Sequence, residues 1–186
     1  MTDYTTLLAP AALPPSGTDR GCPYPLAKWD ADRVAAVRNV LPFFWLCVFS
    51  TEDLVWVTRD EKVDLVLWTS VQRARERYVD RDPFIRGAFE ANLTIWERFG
   101  RVLKRVPNER ALSIDTAELR EQSPNDFADR LKLALEWFDS DSAADFHQLL
   151  DLSRLVWNPD DRSLFADRDD ELEYRLIGQL WPRFEV

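Results

Sequence analysis

Phe43-Phe44-Trp45-Leu46-Cys47-Val48-Phe49 is the segment that most restricts how this chain can fold. Every side chain in it is apolar and four are aromatic. Even extended back to Leu41 the run is far short of the ~20 residues that cross a bilayer, and Pro42 interrupts it. It must therefore be covered by the rest of the protein. No alternation of polar and apolar positions is present, so the run reads as a strand buried on both faces. Leu54–Val57 and Val63–Trp68 follow after two short polar breaks, Ser50-Thr51-Glu52-Asp53 and Arg59-Asp60-Glu61-Lys62. Together they predict a three-stranded antiparallel meander over residues 43–68. Ser50-Thr51-Glu52-Asp53 also resembles a helix start, which would instead place a short helix from Thr51 through Trp56.

Around this centre the pattern is mostly helical. Asp30 or Asp32 is a good N-cap for a short helix ending before Pro42, with Val34, Ala35, Val37 and Val40 as its apolar positions. Val71–Asp80 reads as a charged helix. Asp82-Pro83 then opens a longer one, with proline at the first helical position, where its missing N–H costs nothing. Its stripe of Ile85, Ala88, Phe89, Trp96, Phe99, Val102, Leu103 and Val106 extends to Pro107. Ala111–Asp115 reads as one more strand. Ser123-Pro124 and Ser142 start two further helices, and a last helix is expected from Asp169 to Trp181. Arg154–Trp157 and Arg162–Phe165, joined by Asn158-Pro159-Asp160-Asp161, read as a hairpin over residues 154–165. The expected class is α+β: a small antiparallel sheet packed with several amphipathic helices.

Five of the eleven prolines lie within the first 28 residues. Residues 1–28 are accordingly expected to form an extended arm, and residues 29–186 a single globular domain. At 186 residues the chain can bury roughly 70% of the surface its unfolded form exposes, enough for one core.

The formal charge is −9 and unevenly placed. Residues 1–70 carry a net −3, residues 71–110 a net +4 and residues 111–186 a net −10. An acidic chain is repelled by phosphate backbones, so nucleic acid is not an expected partner. Nor is a membrane, given the short apolar runs. Met1 to Gly21 has no basic leader region and Pro10 breaks Leu7–Leu13, so no secretory signal is expected. Two widely spaced cysteines, Cys22 and Cys47, fit free thiols in a reducing compartment, and a cytoplasmic location is the expectation.

Chemistry-bearing motifs are scarce. His147 is the only histidine, so a multi-histidine metal site is impossible, and a zinc site would need Cys22, Cys47 and His147 without local pairing. No glycine-flanked serine supports nucleophilic catalysis. Five scattered glycines compose neither a dinucleotide fingerprint nor a phosphate loop, and no cofactor is expected. Asp139-Ser140-Asp141 with Asp145 suggests a calcium loop, but Ala144 stands where a glycine turn is needed and Leu150 where a bidentate glutamate belongs. Neither catalytic nor metal-binding residues are therefore assigned.

Two charged features remain. Arg73, Arg75, Arg77, Arg81 and Arg86 are interleaved with acids and do not form one stripe, which suits a salt-bridged surface better than an anion site. Asp167, Asp169, Asp170, Glu171 and Glu173 open the last helix, where negative charge is stabilising in its own right. Beside them, Trp157, Asp160, Asp161 and Phe165 place aromatic anchors next to carboxylates, the mixture common in binding hot spots. Trp157, Asp160, Asp161, Phe165, Asp167, Asp169 and Asp170 are therefore the candidate partner-binding residues. The expectation is a non-enzymatic interaction protein, of the bacterial toxin-immunity or inhibitor type, offering an acidic surface to a basic protein. A carboxylate-based hydrolase without a recognisable motif, or a structural or assembly subunit, are the alternatives.

Overall fold

A computed structural model describes residues 4–15, 18–19, 21–26, 31–38, 40–59, 61–117, 119, 126–140, 143–155 and 169–184. Seven strands run through it: β1 (Tyr4–Pro10), β2 (Tyr24–Pro25), β3 (Ala31–Arg38), β4 (Leu54–Arg59), β5 (Lys62–Ser70), β6 (Ala111–Asp115) and β7 (Gln179–Leu180). They form one sheet in the order β2-β4-β5-β6-β1-β3-β7. Only the short β2–β4 pair is parallel; the others are antiparallel. The helices are α1 (Phe43–Leu46), α2 (Val71–Ala88), α3 (Leu93–Arg105), α4 (Phe127–Ser140), α5 (Ala143–Leu152) and α6 (Asp169–Ile177). The class is α+β, as the sequence predicts, although the sheet is larger than expected and mixed.

Alternation along β5 assigns the two faces. Leu65 and Leu67 join the main core with Leu7, Val37, Leu112 and Ile114, beneath the helices. Val66 and Trp68 point the other way and cluster with Val55, Val57, Ala111 and Leu26. Strict two-residue periodicity makes this division unavoidable once the β4–β5 register of Val55 opposite Val66 is set.

Several expectations are corrected. Phe43–Phe49 is wholly buried as expected, but it is no strand: it forms α1 and a following turn. A continuous apolar run fits any element covered on all sides, so its burial was legible and its backbone was not. The meander over 43–68 reduces to the β4–β5 hairpin, preceded by a 3-10 turn at Thr51–Asp53. There the Asp53 carboxylate accepts from the Ser50 N–H at 2.9 Å, so the helix-start signal was real but lasted one turn.

The helix expected near residues 32–39 is strand β3, paired with β1 along its length. The first 28 residues include an interior strand, because β1 lies between β6 and β3 and buries Leu7, Leu8 and Ala9. Pro83 sits inside α2 rather than opening a helix. The break falls instead at Phe89, and α3 begins at Leu93. Of the hairpin expected over 154–165, Arg154 and Leu155 form no strand; Arg154 turns the chain with a φ of 49° and Leu155 donates to Leu150 O at 2.8 Å. Residues 156–165 lie outside the described residues. The last helix stops at Ile177, and Gly178 follows with a φ of 67°. A side chain there would also meet the Trp45 ring and the Ala36 carbonyl, so glycine is required on two counts.

Candidate functional site

The acidic end is the surface chosen from the sequence. Of its residues, Trp157, Asp160, Asp161, Phe165 and Asp167 lie outside the described residues, while Asp169 and Asp170 form the first turn of α6.

The arginine run of α2 is where the structure adds most. Arg75 turns towards the end of α3 and donates to the carbonyls of Leu103 at 2.8 Å and 3.1 Å, Lys104 at 3.2 Å and Val106 at 2.6 Å. It therefore occupies carbonyls that a helix end leaves without partners. Arg77 forms an ion pair with the buried Asp53 and donates to Ser50 Oγ at 2.8 Å. Arg81 donates to the carbonyls of Cys47 and Phe49, each at 2.7 Å, with its guanidinium 3.9 Å from the Phe138 ring centre. These last two fasten the irregular Cys47–Asp53 segment, whose carbonyls would otherwise lack a regular ladder. Arg86 bonds Asp82 at 2.7 Å and approaches Glu97 at 3.4 Å. Only Arg73 faces outward with a loose partner, Glu52 at 3.7 Å. The salt-bridged surface expected from sequence is thus partly an internal fastening, and the residues cannot serve as an anion site together.

Beside Arg73 lies a cleft of about 480 Å³ on the sheet face opposite the helices. Leu13, Pro14, Pro15 and Thr18 form one wall, Leu54, Val55 and Trp68 the floor, and Glu52 and Arg73 the rim. Tyr24 packs edge-on to Trp68 at 6.0 Å. Ser70 also borders the cleft, but its hydroxyl accepts from the Arg73 N–H at 3.2 Å and caps α2. The recess offers apolar surface and a charge pair rather than an acid, a base and a nucleophile in mutual reach.

The remaining reactive side chains are far apart in character. Cys47 is buried, and its thiol is pushed far up by that burial, against a smaller opposing pull from Arg81. Such a thiol is inert. Cys22 is exposed, in a turn where Asp19 Oδ1 accepts from the Gly21 and Cys22 N–H groups at 2.7 Å. His147 is exposed on α5. Among the described residues no group of three or more histidines, cysteines or carboxylates is placed to hold a metal ion, and no helix is long and apolar enough to cross a membrane.

A second charged surface, invisible in the sequence, lies at the β3–β7 edge of the sheet. Asp32 Oδ2 is shared by Arg183 at 3.0 Å and Arg110 at 3.7 Å. The next residue, Arg33, holds its guanidinium 5.6 Å from the ring centre of Trp181. Sequence joins Asp32 to Arg33 and Trp181 to Arg183, but sheet assembly is needed to bring those two pairs and Arg110 to one edge.

Compared with protein-family models, with curated proteins and with solved structures, the chain has no match.

Proposed function

We propose that this chain is a non-enzymatic protein-interaction module of the toxin-immunity or inhibitor type, presenting the acidic segment 158–173 to a basic protein partner. The observation that supports this most is where the positive charge goes. The one stretch of the sequence with a strong basic excess, residues 71–110, has Arg75, Arg77 and Arg81 drawn onto backbone carbonyls and the buried Asp53. The net −10 of residues 111–186 exceeds the +4 of that stretch, although Arg98 reaches across from it to pair with Glu173. An acidic surface of this kind speeds encounter with a basic partner and disfavours acidic competitors.

Trp157 and Phe165 would supply the anchors, and Asp160, Asp161, Asp167, Asp169 and Asp170 the charge. A reducing, cytoplasmic setting accompanies the proposal, supported by one exposed and one buried free thiol.

The test is co-purification from the native source, followed by kinetics on any stable partner recovered. A partner of high isoelectric point should associate at a rate that falls steeply with salt. Changing Asp160, Asp161, Asp167 and Asp170 to Lys should lower that rate by roughly tenfold or more at low salt, with the thermal transition preserved. An unchanged rate and salt slope would place the interface elsewhere, and recovery of no basic partner would defeat the proposal.

A further inference from the structure

We infer that the β3–β7 edge is a second docking surface, shaped for an acidic segment of a protein partner that carries an aromatic or aliphatic side chain. It differs from the acidic end in place and in sign, so the two proposals stand or fall separately.

Three observations carry it. Trp181 is 44% exposed, unusual for the largest side chain in a protein that buries Trp45, Trp68 and Trp96. Its backbone is nonetheless fixed, because its N–H donates to Val34 O at 2.8 Å and its carbonyl accepts from Phe184 N–H at 2.8 Å. Phe184 is buried and locks the segment from the other side. An exposed indole on a pinned backbone loses little freedom when it is covered.

The second observation concerns guanidiniums. Arg33 is exposed, lies over the Trp181 ring and makes no ion pair among the described residues. Arg183 keeps 64% of its side chain exposed while touching Asp32, and Arg110 competes for the same carboxylate oxygen. One carboxylate thus faces two guanidiniums on one side of the strand, and on the other side of the same edge Arg33 has no ion pair among the described residues. A carboxylate-bearing ligand completes what Asp32 satisfies only in part, and the planar fork of arginine suits it in two-pronged fashion.

The third is contrast. In a chain of net charge −9, an acidic segment is repelled by most of the surface. At physiological salt such repulsion fades beyond about 8 Å, so a local cluster of arginines acts on its own neighbourhood. Tryptophan and arginine are also the residues that dominate binding energy at interfaces. A peptide suits this surface better than a nucleic acid, whose dense phosphates require an extended basic track to offset so acidic a protein.

The experiment uses fluorescence anisotropy with a fluorescein-labelled ten-residue peptide of glutamates around one central phenylalanine. The full chain should bind it, and an otherwise identical lysine peptide should not bind at this edge. Arg33→Glu with Arg183→Glu should weaken binding about tenfold or more, as should Trp181→Ala, with unfolding transitions unchanged. Asp32→Asn, which frees Arg183 and Arg110, should tighten binding several-fold. That gain cannot come from damage to the fold. Absence of binding to the full chain, equal binding by the double variant, or tighter binding of a single-stranded oligonucleotide of equal charge would each overturn the inference.

Discussion

On the helix side of the sheet, Leu65 and Leu67 of β5 meet a continuous core that takes in α1, α3 and α6. On the opposite side their neighbours Val66 and Trp68 share a small buried cluster with Val55, Val57, Ala111 and Leu26, with Tyr24 edge-on to Trp68. Both faces belong to the same strand, and both are apolar. What differs is what covers them. The helix side is closed by aromatic stacking, such as Phe44 and Trp96 at 4.9 Å and Tyr78 and Trp96 at 4.1 Å. The other side is crossed by a proline-rich segment that, among the described residues, pairs with β4 at Tyr24 and Pro25 alone, with an open cleft beside Trp68. Burial of a side chain is therefore a poor measure of its contribution here; depth of covering is the better one.

The helix side depends most on α1. Phe44 and Trp45 are fully buried, and Trp45 Nε1 donates to Ile177 O at 2.9 Å. Phe44→Asp or Trp45→Asp places an unpaired carboxylate where no water reaches. The expected loss is several kcal/mol, a large part of the ~5–15 kcal/mol that holds a typical domain together. Circular dichroism during heating should show a transition shifted far down or lost. A near-normal transition in both variants would mean that α1 is not the centre of the core.

A matched pair of tryptophans asks the same question of the two faces. Trp96 contacts Phe44, Tyr78 and Phe99, and its Nε1 donates to Asp82 Oδ1 at 2.9 Å. Trp96→Ala should cost about 3–5 kcal/mol, since the surrounding rings cannot collapse into the space. Trp68 is equally hidden, at 2% exposure, yet it floors the cleft. Trp68→Ala should cost only about 1–3 kcal/mol, because the vacated volume joins a space already open to water. Urea unfolding of the two variants measures the difference. Equal losses would show that the two faces are closed alike.

The sequence made this asymmetry only half legible. Short apolar runs between polar breaks marked Val63–Trp68 and Leu54–Val57 as the strands that are β5 and β4, and helical spacing identified the apolar face of α3. What failed were segments in which tertiary cover erases the local pattern. Phe43–Phe49 is apolar on every side, so no period distinguishes helix from strand. Ala31–Arg38 carries helix formers, but its burial pattern follows its pairing with β1, a partner that its own residues do not announce. Pro83 resembled a helix start, whereas α2 continues through it, capped at Ser70 and fastened by Arg75, Arg77 and Arg81. The candidate sites divide in the same way. The acids near residue 170 are neighbours in sequence and could be named from it. Arg33 and Arg110 come near Trp181 and Arg183 only when β6, β1, β3 and β7 assemble.

Two glycines measure how tightly the helix side is packed. Gly87 in α2 has open space around it, whereas a methyl group at Gly100 in α3 would overlap the Tyr78 ring. Alanine is favoured over glycine within helices by up to about 1 kcal/mol. Gly87→Ala should therefore stabilise the protein by several tenths of a kcal/mol. Gly100→Ala should reverse the sign and cost roughly 1–2 kcal/mol, because Tyr78 is held against Trp96 and has little room to retreat. Thermal midpoints of the two variants should move in opposite directions, and a rise in both would show slack between α2 and α3.

The smallest effect concerns Tyr78 itself and appears only in alkali. Its hydroxyl donates to Trp96 O at 3.2 Å, and its pKa is pushed up to about 12. Burial is the main cause, with the carboxylates of Asp82 and Glu97 adding to it. In the unfolded chain a tyrosine gives up its proton near pH 10. Below about pH 10 the residue is protonated in both states and contributes no pH dependence. Between about pH 10 and 12 the unfolded chain is ionised while the folded chain holds the proton, so rising pH favours unfolding. Tyr78 is only about half buried, which limits the size of the effect but not its direction. Tyr78→Phe should remove this part of the decline, so that the gap in urea midpoint between variant and wild type changes steadily in the variant's favour from pH 9.5 to 11.5. A constant gap across that window would mean that the Tyr78 hydroxyl titrates alike in both states and that its place against Trp96 is less sheltered than its stacking implies.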